Sequence, residues 1–224
     1  MVILIVPILA TVFPAKLSVG ALVPLLLLGD IFAILRYRQY TQWRKLLRLL
    51  PFVFVGMIPA RFVLASIPEQ PFKLVLGILV LLLILGELAR RRYKWERMPQ
   101  SPVFAAVMGM LAGFATTMGN VAGPVMSVYL LSMGLDKEEF IGTGAWFYPI
   151  VNVTKMPIYL QLGMITTDTL RFDLISAPLV IMGVFLGIIA LPKIPEKVFS
   201  GLIFVLASLA ALVLIYSVLS SGGI

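Results

Sequence analysis

The chain has 224 residues, of which 61% are apolar and only 12% are charged. A soluble domain is about half apolar and about one quarter charged, so this chain has too few polar groups to cover a soluble surface. Cysteine and histidine are both absent. Their absence excludes disulfides, thiolate nucleophiles, imidazole haem ligation, HExxH zinc sites and serine–histidine catalysis. We therefore interpret the chain as an integral membrane protein that is not an enzyme and that uses no metal or cofactor.

Long apolar segments follow one another along the chain and predict an all-α, polytopic membrane fold. A helix needs about 20 apolar residues to cross a bilayer. Segment 2–14 is too short for this, and segment 102–134 is too long, since it would run about 50 Å as one helix. The predicted apolar segments are 2–14, 17–35, 46–66, 72–89, 102–134, 139–160, 172–192 and 197–220.

The middle of segment 102–134 contains several residues that interrupt a helix. Glycines, an asparagine and a proline occur together between Gly113 and Pro124, and these residues break or end helices. We interpret the segment as two half-helices joined by a bend, forming a re-entrant hairpin. Such irregular backbone is tolerated at membrane depth only where protein or a watery cavity satisfies its polar groups.

Basic residues between the spans predict the orientation in the membrane. The runs 36–48 and 90–97 fall on the same side, and the positive-inside rule makes that side cytoplasmic. A hairpin at 102–134 places thirteen cationic residues inside and three outside, whereas a single crossing gives eleven and five. The hairpin is therefore favoured, with the C-terminus outside the cell (inner or plasma) membrane. The three outside residues are Lys16, Lys73 and Arg171.

The net charge of +8 is explained by this orientation. No nucleic-acid partner is expected, and the lipid bilayer is the expected surrounding. The sequence does not fix the oligomeric state.

The second half of the chain repeats the first. Residues 51–72 and 178–199 align without a gap at an offset of 127, with eight identities that include two pairs of prolines. We predict a first repeat at 1–98 and a second at 99–224, each a half-helix hairpin followed by three transmembrane helices. The first hairpin is expected to be incomplete at the N-terminus. Three crossings invert the second copy, and inverted repeats with broken helices are typical of transporters.

Short motifs in both repeats carry a resemblance to a known family. The second copy contains Gly113-Phe114, then Met118 to Pro124, then Phe140 to Ala145; the first contains Pro7 to Leu9 and Ser18 to Ala21. The pattern resembles the sulfite exporter TauE/SafE family of membrane permeases. That resemblance implies a secondary transporter of small anions, chiefly sulfite, thiosulfate or sulfonates, working by alternating access and often coupled to protons.

The bend of the hairpin supplies the first candidate binding residues. Glycines let the backbone approach an anion, and half-helix N-termini present free N–H groups and the positive end of a dipole. Threonine and asparagine side chains add donors. The alternative is that small residues here only allow close helix packing. The candidates are Thr116, Thr117, Gly119, Asn120 and Gly123.

Further candidates lie on the spans that flank the bend. Thr143 and Gly144 are expected to line the cavity opposite the bend, and Trp146 to form part of its wall. Ser18 and Gly20 belong to the matching motif of the first copy. The alternative for each of these residues is plain helix packing.

Charged residues inside spans supply the remaining candidates. Asn152 and Lys155 share one helix face, and an ammonium within a membrane is functional by default, so Lys155 is expected to attract the anion. Asp30 is its counterpart at an offset of 125, about 13 Å away along the membrane normal. Asp30 is therefore a candidate proton carrier or gate rather than a direct partner. The alternative for both charges is snorkelling to the interface.

Arg61, near the outer end of its span, is a candidate for capturing anions, with an interfacial snorkelling position as the alternative. Three other functions stay open: a permease for a cation or amine, a permease for another organic acid, and a membrane subunit that transports nothing. A cation permease would need acids at the midplane, where the sequence indicates only Asp30. An intramembrane enzyme would need paired acid–base groups, which the spans lack.

Overall fold

The computed structural model describes most of the chain, and every secondary-structure element in that part is helical. The predicted spans 2–14 and 197–220 lie largely outside the described residues. The basic residues at 93–97 and the predicted boundary between 98 and 99 also lie outside them. The described residues are 5, 6, 8–10, 13–92, 101–190, 205, 208, 209, 212, 213, 215, 216, 218 and 219.

Seven helices between residues 15 and 190 overlap the predicted apolar segments. Each predicted segment in this range corresponds to one helix, except that 102–134 corresponds to two. A single turn of 3-10 helix at Arg38–Tyr40 joins the first two helices. The helices are α1 (Ala15–Tyr37), α2 (Trp43–Ser66), α3 (Glu69–Arg92), α4 (Pro102–Gly119), α5 (Gly123–Ser132), α6 (Lys137–Gln161) and α7 (Thr167–Ala190).

Local sequence signals fix where α4 and α6 begin. The Ser101 side chain accepts a hydrogen bond from the Phe104 N–H at 3.1 Å, and a proline occupies the first turn of α4, as is common at helix starts. At α6 the Asp136 carboxylate accepts from the Glu139 N–H at 2.8 Å, and the Glu139 carboxylate accepts from the Asp136 N–H at 3.3 Å. This reciprocal capping box satisfies two N–H groups at the start of the helix.

Five of the described helices, α1, α2, α3, α4 and α7, are long and apolar enough to cross a membrane. The 25-residue α6 is not among them. Its sequence carries polar groups at Thr143, Asn152 and Lys155, and all three side chains are buried inside the protein. Helix α6 therefore contributes its polar groups to the protein interior.

The predicted interruption of segment 102–134 is confirmed. Helix α4 ends at Gly119, Asn120 adopts the left-handed conformation with φ 57°, and α5 begins at Gly123. Phe104, near the start of α4, stacks on Tyr129, near the end of α5, with ring centroids 6.3 Å apart. The two arms therefore fold back on each other as a hairpin. That this hairpin enters and leaves the membrane on one side stays a prediction.

Helices α2 and α4 form the most extensive interface between described helices. A Cβ atom added to Gly113 would lie 2.0 Å from the Val53 carbonyl oxygen, and one added to Gly56 would lie 2.1 Å from the Met110 carbonyl oxygen. The two backbones are thus in direct contact. Only glycine permits such an approach, which is typical of helix pairs in membranes.

Helix α1 packs antiparallel to α6 and parallel to α7. Asp30 of α1 bonds to Asn152 of α6, while Gly20, nearer the start of α1, touches the backbone of Met164 just beyond α6. On the other side, Phe32 of α1 contacts Phe185 of α7 with centroids 5.8 Å apart. The residues just before α1 and at the start of α7 are joined by a second ring pair, Phe13–Phe172, at 5.6 Å.

The parallel arrangement of α1 and α7 bears on the topology. If α2, α3 and α6 each cross the membrane once, segment 102–132 must return to the side on which it began. The helix bounds also recur along the chain, since α6 begins 122 residues after α1, and α7 begins 124 residues after α2. These offsets are close to those of the sequence repeat. The division into two inverted repeats stays a prediction.

Candidate functional site

Lys155 is the centre of the candidate site. Its side chain is 0% exposed, so the snorkelling alternative does not describe it. The Nζ atom donates to Oδ1 of Asn120 and to Oγ1 of Thr116 at 3.2 Å. It also lies 5.8 Å from the centroid of the Tyr159 ring. Among the described residues no carboxylate forms an ion pair with it, so this buried ammonium is held by neutral groups alone.

Asn120 links the hairpin bend to two other helices. Its left-handed backbone ends α4, a conformation that asparagine tolerates better than most residues. Its side-chain Nδ2 donates to the Val19 carbonyl oxygen of α1 at 2.9 Å, and its Oδ1 accepts from Lys155. The partners fix this amide orientation, because a carbonyl only accepts and an ammonium only donates. Asn120 therefore positions the bend against both α1 and α6.

Tyr159, which is not among the residues predicted from the sequence, completes the cluster. Its hydroxyl donates to the Thr117 carbonyl oxygen at 2.8 Å, and the side chain is fully buried. The signal available in the sequence was its spacing of four residues from Lys155, which places both side chains on one helix face. The Thr117 hydroxyl bonds to the Gly113 carbonyl of its own helix at 2.8 Å. Thr117 thus offers its backbone, rather than its hydroxyl, to the cluster.

Asp30 is joined to the same face of α6. Asn152 Nδ2 donates to Asp30 Oδ2 at 2.9 Å, and Asn152 is one helical turn from Lys155. The opposite charges of Asp30 and Lys155 attract each other, but no direct ion pair joins them among the described residues. The site thus contains one cation and one anion, separated by a bridging amide.

A second acid within a described span is Asp173, near the start of α7; that Asp30 is the only acid at the midplane stays a prediction. Asp173 of α7 is only 5% exposed. The sequence pattern placed it at the start of an apolar segment, at 172, but α7 begins five residues earlier, at Thr167. Asp173 therefore lies within the helix and not at its end.

The structure places Thr143 and Trp146 away from Lys155. Thr143 Oγ1 accepts from the Gln42 N–H at 3.0 Å, and the Trp146 ring packs on Trp43 at 5.2 Å. Thr143 precedes Lys155 by twelve residues, which is about 18 Å along the helix. Thr143 attaches the start of α6 to the connection between α1 and α2, and Trp146 attaches it to the start of α2.

The candidate glycines divide into two groups. At Gly20 and Gly119 an added Cβ would lie 2.0 Å from the Met164 carbonyl oxygen and 2.4 Å from Leu76 Cδ1, respectively. These two glycines serve close packing.

Gly123 and Gly144 instead both face Tyr148. An added Cβ would lie 4.0 Å from the Tyr148 hydroxyl oxygen at Gly123 and 3.6 Å from Tyr148 Cε2 at Gly144. A tyrosine hydroxyl thus stands beside the N-terminus of α5.

Two candidates lie nearer the ends of the helices. Arg61 Nη2 donates to Gln161 Oε1 at 3.0 Å in an exposed position, which ties the end of α2 to the end of α6. Ser18 donates to the Pro14 carbonyl oxygen at 3.1 Å and lines a mainly apolar cavity of about 300 Å³. Neither residue contacts Lys155. The cavity is lined by Leu9, Phe13, Leu17, Ser18, Ala21, Thr166, Asp168, Thr169 and Phe172.

Comparison with known proteins agrees with this architecture. The family model for the sulfite exporter TauE/SafE matches residues 1–214. Neither the curated proteins nor the solved structures include a significant match to the chain. The family match spans the broken hairpin, the polar α6 and the five apolar helices. The chain therefore belongs to the sulfite exporter TauE/SafE family, whose members are membrane transporters.

Proposed function

We propose that the protein is a secondary transporter of small anions, chiefly sulfur oxyanions or sulfonates such as sulfite and thiosulfate, in the cell inner membrane. The observation that carries the proposal is the fully buried ammonium of Lys155, which neutral oxygens alone contact. A buried charge without a counter-charge is costly. Asp30 faces Lys155 only across Asn152, and a small anion would supply a negative charge in direct contact with the ammonium.

The groups around Lys155 suit an oxyanion. The ammonium has three donor hydrogens, and the oxygens of Asn120 and Thr116 account for two. Anionic oxygens form shorter and stronger hydrogen bonds with an ammonium than neutral oxygens do. The N-terminus of α5 begins at Gly123, three residues after Asn120, and helix N-termini favour anions. We place the bound anion between Lys155 and this helix end.

Alternating access would expose this site in turn to each side of the membrane. Lys155 is closed off from solvent in the structure, so a substrate reaches it only after helices move. The polar contacts of α6 with the hairpin are the hydrogen bonds that Lys155 and Tyr159 donate to Thr116, Thr117 and Asn120, and its polar contact with α1 is the bond from Asn152 to Asp30. Hydrogen bonds between side chains can break and re-form more easily than the close backbone packing of α2 against α4 can be undone.

The inverted-repeat arrangement is part of the same proposal, with repeats at 1–98 and 99–224. It is supported by the recurring helix bounds. It is also supported by matching contacts, since α1 lies parallel to α7 and α6 lies parallel to α2. The second pair is joined by Trp43–Trp146 near their starts and Arg61–Gln161 near their ends. If the basic loops lie on the cytoplasmic side, as the positive-inside rule predicts, this arrangement puts the C-terminus outside.

Transport into liposomes tests the proposed function. The purified protein is reconstituted, and uptake of radiolabelled sulfite and thiosulfate is measured against sulfate, taurine, acetate and an amine at equal ionic strength. We expect saturable uptake of at least one sulfur oxyanion or sulfonate, above that of empty liposomes. Uptake of the amine alone, or no anion uptake above the empty liposomes, would overturn the proposal.

Asp30 is proposed to couple transport to protons. Protonation removes the negative charge that faces Lys155 and Asn152, and this leaves the ammonium more attractive to an anion. Acidification on the substrate side should therefore stimulate uptake several-fold in the wild type but not in Asp30→Asn. Asp168→Asn is the control, because Asp168 is exposed and pairs with Arg171 at 3.6 Å. Full stimulation in Asp30→Asn would exclude the coupling role.

A further inference from the structure

Helix α7 contains a buried acid that the proposed anion site does not use. The Asp173 side chain is 5% exposed, and neither of its carboxylate oxygens has a hydrogen-bond partner. Buried polar groups in proteins are almost always hydrogen-bonded, and a buried charge is stable only when it is paired. An ionised Asp173 would violate both rules, whereas a protonated carboxyl violates only the first.

The charged groups near this end of the bundle are engaged elsewhere. Helix α7 packs chiefly on α1, whose first turn carries Lys16. The Lys16 ammonium donates to the Leu64 carbonyl oxygen at 2.7 Å. On α7 itself, Arg171 pairs with Asp168 in exposed positions. None of these groups pairs with Asp173, so a proton is the simplest neutralising partner.

A metal ion is a poorer candidate than a proton. Metal sites need several oxygen, nitrogen or sulfur ligands held together. The described residues contain no cluster of three acidic, histidine or cysteine side chains, and Asp173 has no second carboxylate in contact. A single carboxyl group is sufficient to bind a proton.

The surroundings of Asp173 also provide room for a change in hydration. The mainly apolar cavity of about 300 Å³ lies between α1 and the first turns of α7, with Phe172 and Asp168 in its lining. The Phe13–Phe172 ring pair closes part of the same region. Movement of α1 against α7 would open or close this space beside the helical turn that carries Asp173.

We propose that Asp173 is a proton-binding residue of the transport cycle, neutral in the conformation seen here and ionised when α7 separates from α1. The proposal rests on the proposed transport function, but its test does not need transport. The ionised form has no partner in the fold, so raising the pH should destabilise the folded protein.

The melting temperature of the full-length protein is measured between about pH 4, near the pKa of an aspartate in the unfolded chain, and about pH 8. We expect the wild-type value to fall by several degrees across this range and the Asp173→Asn value to stay nearly level, because the amide imitates the neutral acid. Asp168→Asn should retain the wild-type fall, and Asp30→Asn measures how much of the fall is due to the half-buried Asp30. A fall in Asp173→Asn as large as in the wild type would overturn the proposal.

Infrared difference spectroscopy of Asp30→Asn provides a second measurement, should Asp173→Asn fail to fold. A protonated-carboxyl band at about pH 6, above the pKa of a free carboxyl group, that disappears at alkaline pH is the expected result, and its absence would contradict the proposal. In liposomes, Asp173→Asn should retain anion exchange but lose accumulation driven by a proton gradient. Absence of anion exchange in the wild type, with the pH dependence of melting as expected, would count against the proposed function and not against the proton site.

Discussion

Lys155→Met should lower the rate of sulfur-anion uptake by about a hundredfold or more while the protein remains folded. Methionine keeps the length of the side chain and removes the only charge in the cluster with Asn120 and Thr116. Loss of one partner of a buried charge pair costs about 2–5 kcal/mol, and each 1.4 kcal/mol is about tenfold in affinity. The measurement is initial uptake in liposomes, with the melting temperature recorded in parallel.

Lys16→Met is the matched control for this change. Lys16 is a half-buried lysine that donates to a backbone carbonyl, near the start of α1 and apart from the hairpin. Its replacement should leave the uptake rate within a fewfold of the wild type. Equal losses in the two variants, or none in Lys155→Met, would mean that the buried ammonium does not bind the anion.

Gly113→Ala should be the most destabilising small substitution in α4. The added methyl group would lie 2.0 Å from the Val53 carbonyl oxygen, and backbone cannot yield as a flexible side chain does. The helices must separate, and such overpacking costs about 1–3 kcal/mol or more. We expect a melting temperature lower by several degrees and a smaller monodisperse fraction in size-exclusion chromatography. Uptake should fall as well, because α4 also carries Thr116 and Asn120.

Gly183→Ala separates this clash from a general effect of alanine. Gly183 lies within α7, and an added Cβ there meets no atom within 4 Å. Alanine also favours the helix over glycine by about 1 kcal/mol, so this variant should melt at or above the wild-type temperature. If both alanine variants melted alike, the close contact of α2 with α4 would not matter for stability.

The sequence predicted the helices and the hairpin break well, because both depend on local composition. An apolar run long enough to cross a membrane forms a helix, and the glycines, Asn120 and Pro124 interrupt one. Lys155 was also predictable, because a charged side chain within an apolar span is energetically costly and is therefore usually functional. These features depend on residues that are neighbours in the chain.

The partners of the polar groups were less predictable, because they depend on tertiary contacts. Thr143 is small and polar, as residues that line a binding cavity often are, yet its hydroxyl oxygen accepts a hydrogen bond from the Gln42 N–H. Tyr159 resembles an ordinary span aromatic but bonds to the Thr117 carbonyl across a helix interface. Asp173 looked terminal because the apolar run starts beside it, while the helix extends five residues further back. Each case depends on which helices pack together.

The two prolines within α6, Pro149 and Pro157, lie on either side of Lys155. Each removes one backbone hydrogen bond from the helix, so α6 has two weak points, which are places where helices bend. Both ends of the helix are anchored, by Gln42 at Thr143 and by Arg61 at Gln161. The segment between the two prolines, which carries Lys155, can then tilt while both ends of α6 keep their contacts. Such a tilt would move the ammonium sideways without a shift of the whole helix.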